Sequence, residues 1–287
     1  MWGLEPTAVT KWTQPTTFTR NDPSTKEYQI CMKCHSYYGL GTTSTGVTTI
    51  IGPSGSNITD QAFEYNVNNY SVHQVKVGLS SQTGSLTPKL LVTAQLTTAW
   101  NSPGTQTMYC SDCHGNDAAV SATVQDGPHG SNRKFMLKGT ATLPNAQYWP
   151  TNSGGTNLWT LNDVRSNLNS WSTNMFCVGC HPLYSGGSWM NNAHSEHASR
   201  NVTIGGKAYT GIPCVSCHIA VPHGAKRGRL ITYNSDVAPY AYRDGTINVN
   251  IIWGFKKAAS RTGYSKSNCY STQSGCTTHS NAGGYDQ

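Results

Sequence analysis

Hydrophobic positions along the chain come in short, broken groups. "VTTII" at Val47 to Ile51 is β-branched throughout, and "HQVKVGL" at His73 to Leu79 alternates, so both read as strands. "INVNIIWGF" at Ile247 to Phe255 alternates at its start and reads the same way. "KLLVTAQLTTAW" at Lys89 to Trp100 fits strand or helix equally. "TLNDVRSNLNSW" at Thr160 to Trp171 predicts a short helix starting near Asn162 or Asp163. "TNSGGTN" at Thr151 to Asn157 and the segment from Ser265 onward are polar and turn-rich. The expected fold is therefore mostly irregular and loop-rich, with short strands, few short helices and no long ones.

Composition sharpens this picture. Over 287 residues only 36% are hydrophobic, which leaves a thin side-chain core, yet only 11% are charged, which argues against a disordered chain. Something other than side chains is expected to supply apolar volume.

The ten cysteines suggest what. Eight fall in four C-x-x-C-H stretches: Cys31, Cys34 and His35; Cys110, Cys113 and His114; Cys177, Cys180 and His181; Cys214, Cys217 and His218. This is the attachment sequence of c-type haem. Two thiols three positions apart can bond the two vinyl groups of one haem, and the next residue is then held under the iron as its axial ligand. Zinc also uses pairs of C-x-x-C, but it does not require a histidine directly after every second cysteine. Four haems are therefore expected. Cys269 and Cys276 remain without a following histidine and are expected to form a disulfide across a short polar loop. Both chemistries point outside the cytoplasm, and export implies a signal absent from this chain. No run approaches eighteen consecutive apolar residues, so no membrane span is expected.

The formal charge of +7 does not make this a nucleic-acid protein. Four haems bring eight propionates, about −8 when ionised. The densest basic run, "AKRGR" at Ala225 to Arg229, is read as a propionate partner. The eight tryptophans and fifteen tyrosines are expected to pack against porphyrin. Asn57, Asn69 and Asn201 each head an N-x-S/T triplet, which chance readily supplies in so Ser- and Thr-rich a chain.

Order and flavour repeat along the chain. "CMKCHSYYGLG", "NNYSVHQV", "CSDCHG" and "DGPHGSNRKFMLKG" are echoed by "CVGCHPLYSGG", "NNAHSEHAS", "CVSCHIA" and "VPHGAKRGRLITY". One domain over 1–287 is expected, built from two dihaem units at about 1–145 and 165–260, with a polar tail over 261–287. Ten histidines are present, so six remain for distal ligation: His73, His129, His194, His197, His223 and His279. The repeat selects four. His129 matches His223, and His73 matches His197, with His194 in reserve. The second iron ligands are thus His73, His129, His197 and His223. His223 is too close to His218, with Pro222 between, to round the porphyrin and reach the same iron. It is assigned to the haem at Cys177 and Cys180, and His129 by analogy to the haem at Cys31 and Cys34. His73 and His197 then serve the other two. With every iron held twice no substrate can bind, so catalysis is not expected.

Four such motifs, Pro-His-Gly histidines and a polar, anchorless chain together resemble the extracellular cytochrome filaments, in particular the tetrahaem OmcE-type subunits and their archaeal counterparts. That resemblance implies a loop-rich fold wrapped around a chain of four haems, electron transfer along it, and a homopolymer in which one axial histidine crosses to the next subunit; His73, on the longest spacer, is the candidate. It also implies redox donors and acceptors at the cell surface. The alternatives are a soluble periplasmic tetrahaem shuttle and a multihaem reductase.

Overall fold

The computed structural model describes residues 1–52, 57–82, 95–115, 129, 134–137, 176–182, 193–198, 200–257 and 264–269. The expected helix over 160–171, the turn-rich segment over 151–157, His279 and Cys276 lie outside them, as does the side chain of Cys269.

Every sheet among the described residues is a two-stranded antiparallel ladder. Five join neighbours in sequence: β1 (Gly3–Pro6) with β2 (Phe18–Asn21), β3 (Val47–Ile51) with β4 (Asn57–Thr59), β6 (Val202–Ile204) with β7 (Lys207–Tyr209), β9 (Arg243–Asp244) with β10 (Ile247–Asn248), and β11 (Ile252–Lys257) with β12 (Tyr264–Cys269). One does not. β5 (Ser71–Val72) pairs with β8 (Gly224–Ala225), joining the two halves of the chain. Helices are equally short: α1 (Glu27–Cys31), α2 (Tyr37–Leu40), α3 (Gln61–Glu64), α4 (Cys110–Cys113) and α5 (Ala193–Ala198).

Two segments depart from the strands their patterns predict. The alternating run after β5 leaves its ladder at His73, because its polar groups are used singly. The His73 amide donates to the His223 carbonyl, the Gln74 carbonyl accepts from Met108, and Lys76 turns back to Glu5 at 2.9 Å. The run from Ile247 breaks between β10 and β11 at buried Asn250. Its side-chain amide donates to the Val215 carbonyl and its Oδ1 accepts from the Tyr242 amide, so this residue spends its bonds across the fold and not along a ladder.

Among the described residues, buried apolar side chains form four small clusters and no single core. Tyr28, Met32, Ala62, Tyr65, Val75 and Met108 pack beside Cys110 and Cys113. Val202, Ile204, Tyr209, Ile212, Val215, Val249 and Ile251 pack beside Cys217, as do Ile231, Tyr233, Ile252 and Phe255. Val47, Phe63, Ile219, Ala225 and Tyr240 complete the set. Three of these clusters therefore end at motif cysteines.

Candidate functional site

Each C-x-x-C-H stretch forms one helical turn. The histidine amide donates to the carbonyl of the first cysteine at 2.9 Å for His35 and His114, 2.8 Å for His181 and 3.0 Å for His218. This turn sets the two thiols on adjacent positions of one short arc, with the imidazole following directly.

Three of these histidines are oriented by a backbone carbonyl. The ring Nδ1 of His114 lies 3.0 Å from the Phe135 carbonyl, that of His218 3.1 Å from the Arg229 carbonyl, and that of His181 3.5 Å from the Gln95 carbonyl. A carbonyl only accepts, so Nδ1 carries the proton and Nε2 presents its lone pair. Burial lowers the pKa of all four motif histidines, to about 4 for His114 and His181, with His223 and His73 respectively adding to the shift. The imidazoles are accordingly neutral near pH 7, as metal ligation requires. Burial also raises the thiols of Cys177 and Cys180 to about 11 and that of Cys217 to about 12.

His114 and His218 share a local device. His114 bridges to Leu137 and His218 to Ile231, each antiparallel. The carbonyl donor-acceptor contact comes from a residue at positive φ, Phe135 (58°) or Arg229 (61°), followed by a second, Met136 (52°) or Leu230 (55°). Non-glycine residues in this region cost roughly 1–2 kcal/mol each, so four of them mark a backbone shape imposed by its surroundings. Phe135 and Arg229 lie at the same distance in sequence after His129 and His223. That common spacing was present in the repeat and is the signal by which sequence reading could have found both carbonyls.

Every motif histidine faces one other ring. His35 and His129 have centroids 6.0 Å apart, His73 and His181 6.3 Å, His114 and His223 5.9 Å, and His194 and His218 6.2 Å. A metal–imidazole bond of about 2 Å on each side, plus the ring radius, gives roughly 6 Å between trans imidazoles. The four separations and the neutral Nδ1–H tautomers thus fit iron held between paired histidines.

Three ring contacts differ from the expected ligand pairings. His223 faces His114 where His181 was expected, and His73 faces His181, so these two histidines exchange partners between the halves. The cause is β5–β8: the His73 amide donates to the His223 carbonyl at 2.9 Å, which brings the two segments side by side at the crossing. His73 also donates from Nδ1 to the Pro222 carbonyl, which orients its ring. Finally, the ring stacked on His218, at 18° between planes, belongs to His194 and not His197, one turn further along α5.

The motifs also meet one another. Ser111 of the second motif donates through its amide and hydroxyl to Glu27 of α1 at 2.7 and 2.6 Å. This seats α4 on α1, with ligand atoms of Glu27, Cys31 and Cys110 all within 4.8 Å of one another. The Cys31–Cys110 contact lowers the Cys31 thiol pKa and raises that of Cys110.

Part of the basic run is paired within the chain. Arg227, 2% exposed, makes a two-pronged pair with Asp236 and lies 3.4 Å from the Tyr233 ring centre, with Lys226 at 3.7 Å from the same carboxylate. Asp236 additionally accepts from Thr232 and the Tyr233 amide. The run therefore folds the loop that delivers the Arg229 carbonyl to His218. Asn69 is fully buried and donates to the Phe63 and Glu64 carbonyls, so this triplet is closed to modification, whereas Asn57 and Asn201 are exposed.

One residue had no sequence signal at all. Glu64, which reads as an ordinary helix acid, is 0% exposed, and its Oε2 meets Nδ1 of His223 at 2.5 Å.

No family model, curated protein or solved structure matches the chain. No described helix is long and apolar enough to cross a membrane.

Proposed function

We propose that this protein is an electron carrier binding four c-type haems, each attached through one C-x-x-C pair and held between two histidines. The observation that carries this reading is the set of four histidine pairs at 5.9–6.3 Å, each containing one motif histidine. Cys31 and Cys34, Cys110 and Cys113, Cys177 and Cys180, and Cys214 and Cys217 supply the thioether bonds. His35 with His129, His114 with His223, His181 with His73 and His218 with His194 would hold the irons. Bound haem supplies one-electron exchange between ferric and ferrous iron.

The chain's residues perform the rest. Backbone carbonyls of Phe135, Gln95, Arg229 and Pro222 fix ring tautomers and orientations. Two histidines per iron exclude substrate, so the residues favour transfer without bond making. Contact between Cys31 and Cys110, and the hydrogen bond between the His73 and His223 backbones, keep successive sites close, as outer-sphere transfer needs. A reductase is disfavoured because it needs an open iron position.

The finer reading is a subunit of an extracellular, conducting homopolymer, secreted and acting at the cell surface. Its support is the resemblance carried by motif order and the long chain per haem. Closure of all four pairs within one chain supports the alternative, a soluble periplasmic shuttle. Mass spectrometry and optical spectra test the haem reading: four covalent haems and a wholly low-spin spectrum are expected, and their absence overturns it. Electron microscopy of the purified protein separates the finer readings. Thin fibres are expected, and a uniform monomer on sizing leaves the shuttle.

A further inference from the structure

Glu64 sits at the N-terminal half's end of a carboxylate–histidine contact with His223. Asp60 caps α3 by accepting from the Ala62 and Phe63 amides at 2.8 and 3.1 Å, while its other oxygen accepts from Gln14, Thr42 and the Tyr37 amide. Asn69 closes the far end of α3 by donating to the Phe63 and Glu64 carbonyls. Gly224 of β8 packs directly on the Glu64 backbone: a β-carbon there would meet the Glu64 carbonyl oxygen at 2.0 Å. The Glu64 side chain is thereby delivered, with no exposure, to Nδ1 of His223. Its second oxygen, Oε1, is buried, as is the Tyr240 hydroxyl, whose pKa burial and the neighbouring Glu64 raise. The tyrosine ring of residue 65 lies over His223 at 5.0 Å and excludes water from that side.

The contrast with the other rings is chemical. His73, His114, His181 and His218 give their Nδ1 protons to neutral carbonyls. His223 gives its proton to a carboxylate. A charge-assisted bond of this type is stronger, and it shifts electron density through the imidazole onto Nε2. A more basic nitrogen favours the more positively charged state of the metal it binds. A buried negative charge acts in the same direction, because little solvent screens it.

We infer that Glu64 is a positioning residue that lowers the reduction potential of the one haem held between His114 and His223, so that the four sites are electronically unequal by construction. This rests on the haem reading above, and it names which site the chain tunes and with what atom.

The test uses the full haem-loaded protein. The His114 and His223 rings cross at 69°, whereas the other pairs lie at 18° to 43°. Nearly perpendicular imidazoles give a ferric signal of large anisotropy in electron paramagnetic resonance, so this site can be followed among four. In Glu64→Gln, one quarter of the haem should become reducible at a higher poised potential, and it should be the quarter with the large-anisotropy signal. Reduction curves of Glu64→Gln and wild type that superimpose, with all four haems low-spin, overturn the inference and leave the haem reading standing. Should Glu64→Gln not fold, electron-nuclear double resonance on the wild type decides: a distinct Nδ1 coupling on the large-anisotropy signal supports the inference, and the same coupling at all four sites overturns it. A protein without four covalent haems overturns the reading beneath it.

Discussion

At the scale of single residues, His194 and His197 are the sharpest contrast. They lie one turn apart on α5, and the His194 ring is stacked on His218 at 6.2 Å. His194→Ala should open one iron position and produce a high-spin signal from one quarter of the haem, whereas His197→Ala should leave the spectrum low-spin; optical and paramagnetic spectra check both. Asp236 offers a test of stability. Burial alone would raise its carboxyl pKa, but the bonded Arg227 guanidinium and the Tyr233 amide hold it below the usual range. Asp236→Asn strands a buried guanidinium and should cost about 3–5 kcal/mol, read as a lowered unfolding midpoint near pH 7. Because the folded carboxyl has the lower pKa, its contribution is complete above an ordinary carboxylate pKa of about 3.9 and fades as pH falls through the folded value. The gap between variant and wild type should therefore narrow in acid.

At the scale of elements, two-residue strands matter more than long ones. β5 and β8 contain only four residues, yet they align the His73 and His223 backbones. Ser71 strengthens the junction by donating to the Arg227 carbonyl at 2.6 Å and accepting from the Leu230 amide at 2.8 Å. Gly224→Ala should force β8 off the Glu64 carbonyl, since that neighbour is backbone and cannot rotate away. A loss of about 1–3 kcal/mol in denaturant unfolding is expected, together with partial high-spin signal as His223 moves from His114. These elements also explain what the sequence could and could not disclose. The one-turn motifs were legible because cysteine spacing is itself the chemistry. The strand β3 was legible from its β-branched run. The meeting of His129 with His35 followed from the repeat, but the exchange of His73 and His223 did not. It depends on a ladder too short to leave any periodicity. Glu64 was invisible for a related reason: its burial comes from Gly224 and Asn69, not from the pattern of α3.

At the scale of the whole molecule, four small clusters replace a central core, and three abut motif cysteines. On the proposed function, haem is the missing centre. Replacing all four cysteine pairs by alanine should therefore abolish cooperative unfolding, not merely colour, as calorimetry can check. The polymer is a separate matter, because the His73 ring lies beside His181 of its own chain, and on the proposed ligation no iron borrows a ligand. If fibres form, surface packing must hold them, and chelating or blocking a histidine should not dissolve them.

The crossing of His73 and His223 also sets an order of manufacture. Cys110, Cys113 and His114 leave the ribosome before residue 223 is made. On the proposed ligation, that early site stays half-coordinated, and open to peroxide or other small ligands, until the late segment arrives and latches it. On that ligation, a cut anywhere ahead of β8 should silence a centre in the half of the molecule it leaves intact.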